Sequence, residues 1–162
     1  DRIKSMSLIH KKMYQSNDLA HINITEYLNL LAANLISSYT IDKHISLDIQ
    51  ASVKKLSIDT LIPMGLIVNE LMTNSIKYAF KGKKAGKISV FLGTTEDRRH
   101  KLIISDNGSG MKTGVPDGKS ETMGMELIKT LVEKINGTIE LRSQKGTSFL
   151  ILFLGHQKDR II

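Results

Sequence analysis

Four polar side chains recur on one side of a predicted helix near the middle of the chain. The run from Pro63 to Phe80 has helical periodicity, and at 100° per residue these side chains share an arc of roughly 100°. A semi-buried carboxylate, amide or ammonium costs about 1–3 kcal/mol if it is unpaired, so the arc predicts either a bound ligand or pairing of these side chains with one another. The alternative without a ligand is a polar stripe that faces another polar surface. The residues are Glu70, Asn74, Lys77 and Tyr78.

Their chemistry suits a metal-bound phosphate ligand. The side-chain oxygen of Asn74 can bind Mg²⁺, and Glu70, one turn earlier, can hold a metal-bound water or act as a base. Lys77 can meet phosphate charge, and Tyr78 can lie against a base.

A second candidate group follows a predicted apolar strand. Asp106 ends that strand, and Gly108 and Gly110 allow the backbone to turn close to a bound group. A carboxylate accepts a hydrogen bond from the amino group of adenine, whereas it would face the carbonyl oxygen of guanine with a second acceptor. Adenine is therefore the predicted base, although Asp-Asn-Gly-Ser-Gly is also a common turn.

Two further positions carry weaker signals. Gly124 opens a second predicted helix after a long polar loop, residues 107–123, which is typical of a lid. The free N–H groups of such a helix start suit phosphates, as those of any helix start do. Thr147 enters the last strand after Gly146, and its hydroxyl can bond a ligand or satisfy the turn.

The elements that must position these residues predict an α+β fold. We expect a two-layer sandwich in which a mixed, mainly antiparallel sheet is covered on one face by helices. An Asn23–Glu26 capping box opens one helix, Ser57 or Asp59 caps the central one, and Gly137 ends the last as its C-cap. The predicted strands are 44–50, 55–57, 87–95, 100–106, 138–143 and 147–154, and the predicted helices start near residues 1, 24, 59 and 124.

Composition narrows the functional class. The 162 residues suit one domain, and the absence of Cys removes disulfides and thiolate sites and fits a reducing compartment. The net charge of +7 suits an acidic partner such as nucleotide phosphates, while few aromatics and no Trp argue against nucleic acid. The lysine-rich run 81–87 is interpreted as a solvated turn. We expect a soluble, cytoplasmic segment without membrane contact, whose parent protein can still be membrane-anchored.

In order along the chain, the motifs resemble the four boxes of the GHKL (Bergerat) ATP-binding fold, shared by gyrase, Hsp90, sensor histidine kinases and MutL. Within that superfamily, Ile-His-Lys-Lys-Met-Tyr-Gln-Ser and Ile-Thr-Glu-Tyr-Leu look like histidine kinases of the HisKA_2 type. The resemblance implies a domain that binds Mg·ATP and transfers the γ-phosphoryl group to a histidine on an adjoining helical hairpin. The boxes are Asn-Glu-Leu-x-x-Asn-x-x-Lys-Tyr-Ala-Phe, Asp-x-Gly-x-Gly, Met-Gly-Met and Lys-Gly-Thr.

By matching position, the resemblance implies a role for each site residue. Asn74 would be the Mg²⁺ ligand, with Glu70 contributing through a water, and these two are the candidate catalytic residues. Glu70 stands where many histidine kinases have Asn and where gyrase-like ATPases have a water-activating Glu. Thr122 replaces the first glycine usual in the third box. The implied ATP-binding residues are Asn74, Lys77, Tyr78, Asp106, Gly108, Gly110, Met111, Gly124, Met125 and Thr147.

The resemblance also divides the chain. Residues 1–20 would end the second helix of the dimerisation and phosphoacceptor hairpin, 21–155 would form the catalytic domain, and 156–162 a tail. The family's phosphoacceptor pattern is absent, and His10 matches the second helix, so the substrate histidine would lie upstream. The implied partners are that histidine helix, a response regulator and a second copy of the full-length protein. Two alternatives stay open: a nucleotide-gated regulatory module without phosphotransfer, and a gyrase- or MutL-like ATPase.

Overall fold

The computed structural model contains three helices and a five-stranded sheet in the residues that it describes. Those residues are 3, 4, 7, 11, 23–39, 42–110, 123–143 and 145–162. Residues 3, 4, 7 and 11 are helical, as the periodicity of the first fifteen residues predicts. The later elements are α1 (Ile24–Tyr39), β1 (His44–Ala51), α2 (Ile58–Asn74) with a π-helical turn (Ser75–Ala79), β2 (Ala85–Thr94), β3 (His100–Asp106), α3 (Met123–Lys134), β4 (Gly137–Arg142), β5 (Thr147–Phe153) and a 3-10 turn (Gln157–Asp159).

The sheet is mixed and mainly antiparallel, as predicted. Its strand order is β1-β2-β3-β5-β4. Among the described strands, only β1 and β2 run parallel. The connection between them contains α2, since parallel neighbours need a long crossover. The other three pairs are antiparallel, and β3 lies beside β5 with Asp106 opposite Thr147.

One face of the sheet packs against the helices. Alternate residues of β3 and β5 are buried, such as Leu102, Ile104, Phe149 and Ile151. The residues between them are half-buried, among them Ile103, so the second face is the more open one. This arrangement confirms the predicted two-layer α+β class.

The start of α1 follows the predicted capping chemistry. The backbone N–H of Glu26 donates to Asn23 Oδ1 at 3.1 Å. One stripe of the helix, including Tyr27, Leu28 and Leu31, is buried in the core. The hydrophobic periodicity and the cap therefore predicted this helix for the right physical reasons.

Two local predictions are wrong. No strand forms at residues 55–57: Leu56 is buried because it packs into the core, and Ser57 leads directly into α2. Gly137 does not cap α3, which ends at Lys134; Asn136 takes the left-handed conformation instead (φ 54°) and its amide donates to Gly155 O. Gly137 is the first residue of β4.

The polar tail folds back onto α2. The Asp159 carboxylate accepts hydrogen bonds from Ser57 N (2.6 Å), Ser57 Oγ (2.5 Å) and Thr60 Oγ1 (2.5 Å). The Ser57 side chain makes no capping bond of its own to α2. A carboxylate from the far end of the chain therefore satisfies the start of the central helix, which local sequence could not reveal.

Across the described part of the chain, every helix is too short or too polar to traverse a lipid bilayer.

Candidate functional site

The central helix changes its winding where the sequence places the polar arc. Its α-helical part ends at Asn74, and the next five residues form a π-helical turn, a rare feature that often occurs at functional sites. A π turn holds more residues than an α turn, so residues after Asn74 do not keep the assumed 100° spacing. Ser75 is consequently buried, while Lys77 and Tyr78 lie on the surface.

The predicted polar arc is thus divided into a buried part and an exposed part. Glu70 is buried and Asn74 half-buried, as expected for a semi-buried site. The Lys77 ammonium lies 5.4 Å from the centre of the Tyr39 ring, and Tyr78 is 68% exposed. The contacts of Lys77 with phosphate and of Tyr78 with a base stay predictions.

Asp106 is the centre of a polar cluster. It lies at the end of β3, is buried, and accepts three hydrogen bonds from the described residues. Oδ1 accepts from Gly108 N at 3.0 Å and from Thr147 N at 3.3 Å, while Oδ2 accepts from Ser75 Oγ at 2.7 Å. Three chain segments far apart in sequence therefore fix the orientation of one carboxylate.

The glycine turn after Asp106 packs tightly against the π-helical turn. A Cβ on Gly108 would lie 2.4 Å from the carbonyl oxygen of Ala79, so only glycine fits there. The next residue, Ser109, donates its backbone N–H to the same oxygen at 3.0 Å. Gly110 has φ 77°, which favours glycine. The glycines thus let this turn pack against the π-helical turn, while their predicted approach to a bound group stays a prediction.

A second glycine closes the cluster from β5. Gly146 has φ 87°, and a Cβ there would lie 2.0 Å from the carbonyl oxygen of Asp106. Thr147, the next residue, is buried beside Asp106. Asp106, Gly108 and Thr147, predicted separately from sequence, are therefore brought together by the structure.

Sequence reasoning missed Ser75. It directly follows Asn74 and is the only side chain that donates to Asp106 among the described residues. An α-helical projection gives no reason to place it there, because the π-helical turn has no simple sequence signature. Its position directly after Asn74, the predicted Mg²⁺ ligand, was the only available signal.

The predicted phosphate-binding end of the site is described in part. Gly124 and Met125 are half-buried in the first turn of α3, a helix that packs against α2 and buries Ile128 and Val132. Met111 and Thr122 lie outside the described residues, as does most of the predicted lid.

The turn after the π helix makes this end of the molecule basic. From residue 71 to 95 the chain has no Asp or Glu. The lysines of the 81–87 run are exposed, which confirms their solvation, but residues 85–87 belong to β2 and not to a turn. Lys87 Nζ lies 3.7 Å from the Asp48 carboxylate. Lys87 also pairs its backbone with Asn107, next to Asp106. A basic rim near the cluster favours an anionic ligand.

Two ionisable groups with shifted pKa lie outside this cluster. Burial raises the pKa of the Tyr27 phenol far above its usual value. Hydrogen bonds from the Thr95 hydroxyl and from Arg99 hold the pKa of Asp97 below its usual value. The first effect results from the packing of α1, and the second belongs to the loop between β2 and β3.

Comparison with known proteins identifies the family. The model of the family described as "Histidine kinase-, DNA gyrase B-, and HSP90-like ATPase" matches residues 60–157, which contain all four predicted boxes. The chain belongs to this family. A second family model, HisKA_2, described as "Histidine kinase", matches residues 1–39, including α1. The recognition made from the motifs is confirmed.

Relatives of this ATPase-family chain include sensor kinases. Sensor histidine kinase PdtaS from Mycobacterium tuberculosis is 22% identical over 153 residues, covering 93% of this chain and 30% of PdtaS. Serine-protein kinase RsbW from Bacillus licheniformis is 27% identical over 104 residues, covering 56% of this chain and 64% of RsbW. The chain thus spans less than a third of the length of PdtaS.

Solved structures share the fold. The histidine kinase domain of the blue-light activated kinase EL346 from Erythrobacter litoralis superposes with a TM-score of 0.82 at 18% identity, covering 98% of this chain and 75% of that one. The catalytic domain of the histidine kinase ThkA gives a TM-score of 0.63 at 13% identity, covering 84% of this chain and 96% of that one.

Proposed function

We propose that this chain is the ATP-binding catalytic domain of a two-component sensor histidine kinase. It would transfer the γ-phosphoryl group of ATP to a histidine on a helical hairpin outside the chain. The observation that supports the proposal is the buried Asp106 carboxylate, which three hydrogen-bond donors orient. The chain around it belongs to a family of ATPases.

The base end of the site would work by fixed hydrogen-bond geometry. Asp106 accepts a hydrogen bond from the adenine amino group, and Thr147 supports the same pocket. The Gly108 backbone lies close enough to Ala79 that no side chain intervenes between the turn and the helix. Gly110 and Met111 would also contact the nucleotide.

The described residues fit a Mg²⁺ ion that keeps most of its waters. Among them, no three His, Cys, Asp or Glu side chains are arranged to hold a metal, so these side chains do not form a complete coordination shell. Mg²⁺ in nucleotide sites commonly uses few protein ligands together with substrate phosphates and water. Asn74 would supply a direct oxygen ligand, and Glu70 would hold one of the waters. Bound there, the ion would neutralise phosphate charge during transfer.

The phosphate end would rely on positioning. The N–H groups at the start of α3, near Gly124 and Met125, would face the phosphates, and Lys77 would leave the Tyr39 ring to meet them. Tyr78 would lie along the base. The 107–123 lid would close over the nucleotide and exclude water, which favours transfer over hydrolysis.

The partners follow from the kinase reaction. The phosphoryl group would pass to the upstream histidine helix and then to a response regulator, and the full-length protein would act as a homodimer in the cytoplasm. PdtaS is a sensor histidine kinase by name, and its greater length leaves room for such a hairpin. The division into a hairpin end (1–20), a catalytic domain (21–155) and a tail (156–162) is part of the same proposal.

A phosphotransfer assay tests the proposal. The chain is incubated with γ-labelled ATP, Mg²⁺ and a separately purified histidine-bearing hairpin from a HisKA_2 kinase. We expect acid-labile label on the hairpin, as a phosphohistidine gives, and at least tenfold less with Asp106→Asn, which leaves the adenine amine facing a group that is no longer a pure acceptor. Acid-stable label would point to a hydroxyl acceptor, as the name of RsbW suggests for that protein, and would overturn the histidine assignment.

A hydrolysing ATPase of the gyrase or MutL type is the second candidate, because Glu70 is buried at the position of a water-activating carboxylate. Glu70→Gln distinguishes the two. A hydrolase would retain ATP binding and lose most hydrolysis, whereas a kinase would retain transfer to the hairpin within a few-fold. A protein that binds ATP yet does neither would be a nucleotide-gated regulatory module.

A further inference from the structure

We propose that Ser75 is a specificity residue, which forms with Asp106 a pair of neighbouring acceptors for the 6-amino group of a purine. The inference deepens the proposed function, because it presumes that a nucleotide binds at Asp106. It assigns the recognition of adenine to two side chains instead of one.

The direction of the Ser75 hydrogen bond is decided by its partner. Ser75 Oγ lies 2.7 Å from Asp106 Oδ2, and the two residues are only 8% and 7% exposed. A carboxylate oxygen accepts and does not donate, so the hydroxyl proton of Ser75 is committed to Asp106. The remaining lone pairs of Ser75 Oγ can only accept.

The free acceptor capacity of Asp106 lies on the same side. Gly108 N and Thr147 N both donate to Oδ1, whereas Oδ2 accepts one hydrogen bond from the described residues, that of Ser75. An ionised carboxylate has about four acceptor positions, two on each oxygen. One position therefore remains on Oδ2, adjacent to the accepting lone pairs of Ser75 Oγ.

Two neighbouring acceptors suit one class of base edge. An N–H of the 6-amino group of adenine can be shared between two oxygens 2.7 Å apart as a three-centre hydrogen bond, whereas a 6-oxo purine presents an acceptor there. Ser75 could turn its proton toward a 6-oxo group only by withdrawing it from Asp106, which would leave a buried carboxylate short of a donor. The hydrogen bond between Ser75 and Asp106 thus prevents Ser75 from donating to the 6-oxo group of the wrong base.

The test compares two ligands on two proteins by calorimetry in Mg²⁺. The ligands are ATP and purine riboside triphosphate, which has hydrogen in place of the 6-amino group; the proteins are the wild type and Ser75→Ala. We expect Ser75→Ala to weaken ATP about tenfold, the usual size of one hydrogen bond, and to weaken the 6-H nucleotide less than about twofold. Ser105→Ala is the control, because it removes a hydroxyl from the residue next to Asp106 in β3, on the opposite face of the sheet, where Ser105 Oγ pairs with Ser148 Oγ.

The outcomes separate the possible roles. An equal loss for both nucleotides would show that Ser75 only supports the fold of the pocket and would overturn the inference, as would no loss for either. A wild-type preference for ATP over the 6-H nucleotide below about threefold would also overturn it, and this comparison needs no variant. If the wild type binds neither nucleotide, the proposed function itself fails.

Discussion

Asp159→Ala tests whether the C-terminal tail holds the central helix. The carboxylate accepts three hydrogen bonds at the start of α2, from the backbone and hydroxyl of Ser57 and from the hydroxyl of Thr60. A hydrogen bond to a charged group typically contributes about 1.5–3 kcal/mol, and the loss of a helix N-cap about 0.5–2 kcal/mol. Because the three bonds share one partly exposed carboxylate, they are not additive. We expect the free energy of unfolding to fall by about 3 kcal/mol.

Urea denaturation followed by circular dichroism measures this change, and the melting temperature should fall by about 6–12 °C. Asp159→Asn keeps one oxygen for Ser57 N and offers an amide to the two hydroxyls, so it should cost only about 1 kcal/mol. Lys158→Ala, at the exposed neighbour in the same turn, is the control. If Asp159→Ala and Lys158→Ala unfold at the same urea concentration, the tail does not stabilise α2.

The same variant separates stability from binding. α2 has 17 residues, so its start lies about 25 Å from Asn74 at 1.5 Å per residue. Well below its melting temperature, Asp159→Ala should therefore bind Mg·ATP with the wild-type dissociation constant. A large loss of affinity in folded Asp159→Ala would mean that the helix start and the site are coupled.

Two other substitutions test the packing. Tyr27→Phe removes a buried hydroxyl that has no partner among the described residues, so stability at neutral pH should stay equal or rise by about 1 kcal/mol. Burial raises the pKa of Tyr27 in the folded state, so wild-type stability should fall as pH rises above about 10. Relative to Tyr27→Phe, the fall should reach about 1.4 kcal/mol per pH unit. Urea melts in which the two proteins lose stability in parallel with pH would contradict this. Gly108→Ala should lower the free energy of unfolding by about 2 kcal/mol and remove most of the ATP affinity, because its Cβ would lie 2.4 Å from Ala79 O. Gly82→Ala, which has open space around it, is the control and should cost about 1 kcal/mol of stability with no loss of affinity. Equal ATP affinities of the two variants would refute the close contact.

The sequence predicted the fold well where periodicity and burial agree. The β3 strand was predicted with its observed bounds because its alternation matches one buried and one open face. The false strand at 55–57 shows the opposite case, since one buried leucine between polar residues has no period to read. The end of α3 was misplaced because both Asn136 and Gly137 can take a left-handed turn, and the choice between them depends on where β4 must begin.

The site was predictable from motifs in sequence order, but its geometry was not. Asp106, Gly108 and Thr147 were each recognisable, and the structure confirms that they meet. Ser75 depends on the π-helical turn, and a 100° projection cannot anticipate that turn. Asp159 depends on a contact between residues about a hundred positions apart, for which single-sequence patterns contain no signal.

The orientation of Asp106 depends on the register of β5 as much as on the glycine-rich motifs. Two of its three donors are backbone N–H groups, which no substitution short of proline removes. One of them belongs to Thr147, opposite Asp106 in the sheet, and the buried pair Ile104 and Phe149 fixes that register two residues away. A slip of one residue would turn the apolar face of β5 to the open side, at a large cost in burial. The core therefore sets the geometry of the carboxylate. Among the described residues, Ser75 is the one side chain that donates to it, so replacing Ser75 alters that geometry without disturbing the sheet.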